Sequence, residues 1–275
     1  MNCIDFDARF MACWEDWERK NRHRFKRVDD MEDEVPGVYL KFLNAPADWL
    51  GGETPAEYFE KYDDGQLLVD WMLAYIDQET PVPDLLLHRI TELENAVQPL
   101  LTLLVDRSAP VEARANAIEL LQEMERTEPL ITYVRWQVER AEDDDLLEKA
   151  LESLKEMGEP ALEACRVAFR AADTVGKEAL LDYLSDYPCT DEVFHFALDA
   201  FRRQPDKRAL FAGYLGKLND DRALEALLDV AESDDVSYID FLEIRNAVER
   251  LGGEAPVRDF TGDPTYQAMR RMQEK

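Results

Sequence analysis

The residues with the clearest chemical potential form a basic run near the start of the chain. The run comprises Arg19, Lys20, Arg22, His23, Arg24, Lys26 and Arg27, and the aromatic residues Trp14, Trp17 and Phe25 are interleaved with it. Cations beside aromatic rings can track a phosphate backbone while bases stack on the rings. The same run could instead fold back on acidic parts of the chain, or it could form the solvated face of a first helix.

Acidic residues follow this basic run at once, at Asp29, Asp30, Glu32, Asp33 and Glu34. They nearly neutralise the local field within one Debye length, which is about 8 to 10 Å at ordinary salt. We therefore expect that the run does not bind nucleic acid. If it does, Arg22, Arg24 and Arg27 are the contacts to charge-reverse, and the affinity should fall steeply with salt.

The charge of the whole chain also argues against binding of nucleic acid. The 275 residues include 60 acidic and 32 basic side chains, which gives a net charge of -28. Such a field repels duplex nucleic acid and anionic membranes, and it favours basic partners.

Acidic clusters at two predicted turns are candidate binding residues. Glu142 precedes Asp143, Asp144 and Asp145 in one cluster, and Asp220 and Asp221 form the other. Carboxylates at matching positions between repeats could form a ridge that steers a basic helix or peptide. They could equally cap helices and keep the chain soluble. On the first interpretation these five aspartates attract the partner, and Trp14 and Trp17 are apolar anchors.

The sequence offers little for catalysis or for metal binding. The three histidines, His23, His88 and His195, are not spaced as a helical ligand pair, and no segment matches a calcium-binding EF-hand loop. Cys165 falls on an apolar stripe with Leu162 and Phe169, where a buried, inert thiol is expected. We therefore predict no catalytic residues, no cofactor and no bound metal.

The elements that position these residues are predicted from a repeated apolar signature. Pairs of large aliphatic residues recur roughly every 30 to 34 residues, at Ile118/Leu121, Leu151/Leu154, Leu181/Leu184, Leu215/Leu218 and Val248/Leu251. This period predicts an all-α fold, a right-handed α-solenoid of about six helix pairs. We assign the solenoid to residues 81–253, a helical N-terminal cap to residues 1–80 and a C-terminal tail to residues 254–275.

Two segments of this repeat region resemble a known family. Residues 207–235, and more loosely residues 145–173, resemble HEAT-like repeats of the short kind first named for phycobilin lyases. The resemblance extends over roughly residues 83–253 and implies an armadillo-like superhelix. It also implies an alternative function as a phycobilin-lyase-like enzyme or enzyme accessory. A nucleic-acid-associated HEAT-like protein that acts through the basic run is a further alternative.

A short N-terminal segment carries a second resemblance. The residues Leu50-Gly51-Gly52-Glu53-Thr54-Pro55 are similar to the segment that ends the toxin-binding domain of some bacterial antitoxins. Local chemistry predicts a Gly-Gly turn, then a helix with Thr54 as N-cap and Glu57 completing a capping box. The helix is expected to continue through Tyr62.

Taken together, these features predict a non-catalytic protein-interaction scaffold that binds a basic protein or peptide through an acidic surface. No stretch approaches the roughly 18 consecutive apolar residues of a membrane helix. Asp5, Asp7 and Arg9 occupy the place of a signal peptide's apolar run. We therefore expect a cytoplasmic protein.

Overall fold

The computed structural model of the chain describes residues 3–27 and 29–273, and no strand occurs among them. The all-α prediction is therefore confirmed for the described residues. The α-helices are α1 (Phe6–Asn21), α2 (Asp29–Glu32), α3 (Val35–Asn44), α4 (Gly65–Asp77), α5 (Asp84–Thr91), α6 (Val97–Val105), α7 (Val111–Glu123), α8 (Leu130–Glu139), α9 (Asp144–Met157), α10 (Glu159–Ala171), α11 (Thr174–Leu184), α12 (Asp191–Arg203), α13 (Arg208–Leu218), α14 (Leu224–Glu232), α15 (Tyr238–Arg250) and α16 (Pro264–Gln273).

The chain divides into two compact units. The first unit consists of the residues up to Pro129 together with Asp143–Ser153. The second unit consists of Leu130–Glu142 together with the residues from Leu154 onward. The domain bounds at residues 80 and 253 stay predictions.

Polar side chains start several helices. Asp5 accepts a hydrogen bond from the backbone N–H of Ala8 at the start of α1, and Asp64 and Asp173 cap α4 and α11 in the same way. Thr190 and Ser237 cap α12 and α15 with their hydroxyl groups. Each cap satisfies a backbone donor that has no partner inside its helix. Part of the chain's acidity therefore serves to begin its helices.

The repeated apolar signature forms core positions in both units. Most of its members are buried, namely Ile118, Leu121, Leu154, Leu181, Leu184, Leu215, Leu218 and Val248. Leu151 and Leu251 are half-buried. The helical period of these residues is explained by this burial, because each helix hides one apolar stripe against its neighbours.

Polar contacts recur at a similar interval in the first unit. The paired residues are 30 to 32 positions apart in the sequence. The pairs are Asn95 with the carbonyl oxygen of Asp63, Arg126 with Glu94, Lys149 with Glu119, and Ser153 with Gln122. Each pair joins segments that lie about one signature period apart.

The second unit repeats this arrangement with different residues. Its pairs are 27 to 31 positions apart, and they are Lys155 with Asp182, Lys207 with Glu178, and Lys217 with Asp186. All three are lysine–carboxylate pairs between segments about one period apart. The first joins α9 to α11, the second joins α11 to the residue that precedes α13, and the third joins α13 to the turn that follows α11. The polar contacts therefore follow the same interval as the apolar signature.

The predicted helix from Pro55 to Tyr62 is wrong, because residues 55–61 form consecutive turns and Tyr62 is irregular. One of the two contacts of the predicted capping box forms, since Thr54 Oγ1 accepts from the Glu57 N–H at 3.3 Å. The Glu57 carboxylate accepts from the Thr54 hydroxyl at 2.8 Å and not from the Thr54 N–H. Tyr58 and Phe59 leave the helical path to pack around Phe6, with ring centroids 5.8 Å from that ring. Aromatic burial therefore overrides the local helix signal.

Residues with a positive φ lie at two of the helix ends. Gly158 has a φ of 63° between α9 and α10, and Asn219 ends α13 in the left-handed conformation with a φ of 53°. The C-terminal tail forms α16, and its Tyr266 ring contacts the Tyr238 ring of α15 at 5.0 Å. The C-terminal tail therefore packs on α15.

The start of α4 comes unusually close to the chain around Ala96. Asn95 holds the two together, because its Oδ1 accepts from the Gly65 N–H at 3.1 Å and its Nδ2 donates to the carbonyl oxygen of Asp63 at 2.8 Å. A Cβ atom at Gly65 would lie 2.4 Å from the backbone nitrogen of Ala96. Only glycine fits this approach.

We expect Gly65→Ala to lower the free energy of unfolding by about 1 to 3 kcal/mol, because the backbone of Ala96 would have to move. Gly37→Ala in α3 is the control, since a Cβ there meets nothing within 4 Å. That variant should be neutral or raise stability by about 0.5 to 1 kcal/mol. Urea denaturation monitored by circular dichroism measures the free energy of unfolding of both variants. Equal changes in the two variants would contradict the packing argument.

Candidate functional site

The first acidic cluster lies at the beginning of α9. Asp143 Oδ1 accepts a hydrogen bond from the Asp145 N–H at 3.1 Å, and Asp144 and Asp145 occupy the first helical turn. All three side chains are exposed. Carboxylates at a helix N-terminus are stabilised by the helix dipole, so this cluster has a structural role whether or not it meets a partner.

The second acidic cluster divides into one engaged and one exposed residue. Asp220 binds the Arg222 guanidinium through both of its oxygens, at 2.9 Å from Nε and 2.6 Å from Nη2. Arg222 also pairs with Asp191 at 2.9 Å and lies 4.2 Å above the Phe194 ring. The hydrogen bonds from Arg222 lower the pKa of Asp220 below its usual range. Asp220 is thus occupied internally, whereas Asp221 remains exposed.

The two predicted apolar anchors lie together on α1. The Trp14 and Trp17 rings are stacked, with centroids 5.1 Å apart and an interplanar angle of 17°. Both side chains are half-buried. The Phe25 ring extends this cluster, with its centroid 6.0 Å from that of Trp17.

The three candidate arginines follow directly after α1 and are exposed. Arg22 donates to Met31 Sδ at 3.2 Å, and Arg24 donates to Asn21 Oδ1 at 2.9 Å. Arg27 pairs with Asp29 at 2.8 Å. One of the three is thus paired with the acidic run that follows, and the other two have neutral hydrogen-bond partners.

A groove in the second unit was not identified from the sequence. It lies between α8 and α10 and has a volume of about 460 Å³. We call it the α8/α10 groove, and its lining comprises Ile131, Val134, Arg135, Val138, Glu139, Glu163, Ala164, Val167, Ala168 and Ala171. Most of these residues are apolar.

The sequence of α10 explains why a groove forms there. Ala161, Cys165 and Phe169 point into the core. The adjacent face carries Ala164, Ala168 and Ala171, which are three or four residues apart and have the smallest side chains that a helix favours. These alanines leave a trough beside the larger residues of α8 and α10.

The rim of this trough exposes large apolar side chains. Ile131 is 68% exposed and Val167 is 54% exposed, although residues of this type are usually buried. Arg135, Glu139 and Glu163 contribute charged groups to the same lining, and all three are exposed. The groove therefore combines uncovered apolar surface with a predominance of acidic charge.

The cysteines have no arrangement that would support nucleophilic catalysis. Cys165 is fully buried, which confirms the prediction, and burial raises the pKa of its thiol to about 12. Burial also raises the pKa of Cys189. Within the described parts of the chain, no three His, Cys, Asp or Glu side chains converge as a metal site requires.

Comparison with known proteins adds no identity. No family model matches the sequence. A search of curated proteins returns no significant match either. None of the described helices combines the length and the apolar composition that a membrane crossing requires.

We expect Asp220→Asn to lower the free energy of unfolding by about 1 kcal/mol at neutral pH, because the ion pair with Arg222 is lost. The pKa of Asp220 is lower in the folded chain than its ordinary value of 3.8. Its contribution is therefore present above that value and is lost as the pH falls through the folded pKa. Urea denaturation of both proteins should show a difference that shrinks below about pH 4.

Asp221→Asn is the matched control for this prediction, because it removes the same charge one residue away from an exposed side chain. Its effect should stay within about 0.5 kcal/mol at every pH. If Asp220→Asn behaves like this control, the pair with Arg222 does not stabilise the fold.

Proposed function

We propose that this chain is a non-catalytic, HEAT-like interaction scaffold that binds a basic, amphipathic helix of a partner protein in the α8/α10 groove. The observation that carries the proposal is the groove itself, whose lining combines the exposed Ile131 and Val167 with three alanines of α10. On this proposal the helices form a right-handed α-solenoid in a cytoplasmic protein.

Two features support the repeat architecture. The apolar signature is buried in both units, and polar pairs in each unit join residues 27 to 32 positions apart. A helical repeat protein is built from units that contact their neighbours along the chain, so contacts at one regular interval are what such an architecture requires. The four free thiols support a reducing, cytoplasmic compartment.

The shape of the groove favours a helix as the occupant. Side-chain ridges of one helix pack into the groove between two others, and the apolar anchors of a bound helix recur at positions i, i+3 or i+4, and i+7. The alanine row of α10 would receive such anchors, while Ile131 and Val167 would flank them. Covering these two side chains would remove apolar surface from water, which is the main driving force for association.

The charge favours a basic occupant. Glu139 and Glu163 outnumber Arg135 in the lining, and the whole chain has a net charge of -28. Complementary charge raises the association rate more than the final affinity. Asp143, Asp144, Asp145 and Asp221 are exposed carboxylates, and their role in attracting the partner stays part of the proposal.

The first test uses a designed 14-residue amphipathic peptide with leucine on one face and lysine on the other. We expect Val167→Asp to weaken its binding about tenfold or more, because a bound helix would bury an unpaired carboxylate. Fluorescence anisotropy of the labelled peptide measures the affinity of the full chain. A version with glutamate in place of lysine should bind more weakly than the lysine peptide at low salt.

The control for this substitution is Val257→Asp, which makes the same change at a fully exposed residue outside the groove. It should bind the lysine peptide as the unmodified chain does. The proposal fails if Val167→Asp also binds normally, or if the glutamate peptide binds as tightly as the lysine peptide.

A second prediction concerns the charged lining. We expect Glu139→Gln with Glu163→Gln to slow association of the lysine peptide about two- to fivefold at low salt, with little change in the dissociation rate. Stopped-flow fluorescence measures both rates. Glu232→Gln with Glu243→Gln removes the same charge from exposed helix positions outside the groove. If both pairs slow association equally, the effect comes from net charge alone and Glu139 and Glu163 have no special role.

A further inference from the structure

A second groove, of different chemistry, lies in the first unit. It has a volume of about 550 Å³ and is bounded by α1, α3 and the segment that follows α3. We call it the α1/α3 groove, and its lining comprises Arg9, Cys13, Asp16, Trp17, Lys20, Val38, Lys41, Phe42, Pro55 and residues 45–49. This volume is in the range of pockets that hold small molecules.

Three aromatic rings line the α1/α3 groove. Trp17 comes from α1, Phe42 from α3, and Trp49 from the short helical turn Asp48–Leu50. Phe42 and Trp49 are nearly parallel, with an interplanar angle of 20° and centroids 6.4 Å apart. The three rings therefore reach the groove from three separate segments of the chain.

The ring positions are fixed by neighbours outside the groove. The buried Phe6 ring packs edge-on against Trp49 at 5.5 Å, and the Phe10 ring lies 5.5 Å from Phe42. Trp17 is stacked on Trp14 at 5.1 Å. The aromatic surfaces are therefore held in place before any ligand arrives, which lowers the entropic cost of binding.

Two cations in the same lining are left without carboxylates. Arg9 lies over the Trp49 ring, 5.3 Å from its centroid, and Lys41 is exposed on α3. Within the described residues neither forms an ion pair, although acidic side chains outnumber basic ones by 60 to 32. Of the other charged lining residues, Asp16 is paired with Lys20 and Asp48 is exposed.

We propose that the α1/α3 groove binds a planar aromatic small molecule that carries an anionic group. The ring system would stack on the aromatic lining, and the anion would pair with Arg9 and Lys41. Stacking supplies contact area with defined geometry, and the charge pair supplies selection for an anion. The inference is independent of the proposed function, because all of its residues belong to the first unit and those of the α8/α10 groove belong to the second.

The test compares two pairs of probes that differ only in a phosphate group, namely flavin mononucleotide with riboflavin and adenosine monophosphate with adenosine. Titration of the full chain is followed by quenching of flavin and tryptophan fluorescence. We expect flavin mononucleotide to bind roughly three- to tenfold more tightly than riboflavin at low salt. The difference should shrink as salt screens the exposed cations.

Variants of the chain separate the contribution of the cations from that of the aromatic rings. Lys41→Gln should reduce the affinity for flavin mononucleotide about two- to fivefold and leave that for riboflavin unchanged. Lys26→Gln is the matched control, because it removes an equivalent exposed charge outside the groove and should change neither affinity. Trp17→Leu should lower the affinity for both flavins, and circular dichroism verifies that the variant folds. If Trp17→Leu does not fold, the comparison of Lys41→Gln with Lys26→Gln still tests whether a cation of the groove contributes to binding.

The location is tested with Cys13, which is half-buried in the groove lining. In a Cys3→Ser, Cys189→Ser background the other remaining thiol, Cys165, is buried, so a thiol reagent reports on Cys13. Flavin mononucleotide should slow this labelling, and riboflavin at the same concentration should slow it less.

Several results would overturn the inference. Equal affinities for the phosphorylated and unphosphorylated probes would remove the role of the cations, as would equal effects of Lys41→Gln and Lys26→Gln. Absence of binding by all four probes at millimolar concentration would exclude this ligand class. Tighter binding of an acidic, tryptophan-containing peptide would assign the groove to a protein partner instead.

Discussion

Burial of one apolar stripe on each helix of the repeat region, against the helices packed around it, is the interaction on which the rest of this structure depends. The signature residues Ile118, Leu181 and Val248 are completely buried, and polar pairs such as Lys207 with Glu178 join segments at nearly the same interval. A helix of ten or so residues is marginal in water, so each one requires its neighbours. Because the buried stripe is shared only with neighbours, the opposite face of each helix is free to vary. The α8/α10 groove arises on such a face.

The acidity of the chain is compatible with this packing because many carboxylates have local structural roles. Asp64 and Asp173 begin helices, while Glu178 and Asp220 accept hydrogen bonds from cations. A carboxylate used in this way stabilises the fold at neutral pH and contributes less to recognition than an exposed one. On the proposed function, attraction of a partner therefore depends on the exposed carboxylates, such as that of Asp144.

The fold was predictable where local chemistry and burial agree, and it was not where they conflict. The apolar signature predicted positions that are mostly buried, and the apolar stripe around Cys165 predicted that its thiol is buried. The helix expected after Thr54 fails because Tyr58 and Phe59 pack on Phe6, a contact between residues about fifty positions apart that no local pattern encodes. The α8/α10 groove escaped prediction for a related reason, since Val167 in a sequence looks the same whether it is buried or exposed. The alanine spacing on α10 was the available signal.

The linings of the two grooves differ in charge, so the net charge of the chain does not describe either of them. A value of -28 predicts basic partners, and the acidic, alanine-floored α8/α10 groove agrees with it. The α1/α3 groove has the opposite local balance, with Arg9 and Lys41 unpaired beside aromatic rings. Salt screens exposed charges that are more than about 8 to 10 Å apart. A bound group therefore interacts mainly with the few charges that line its own site. On the two proposals, a cationic helix and an anionic aromatic molecule would bind at separate sites of one chain, each selected by the charges and rings of its own lining.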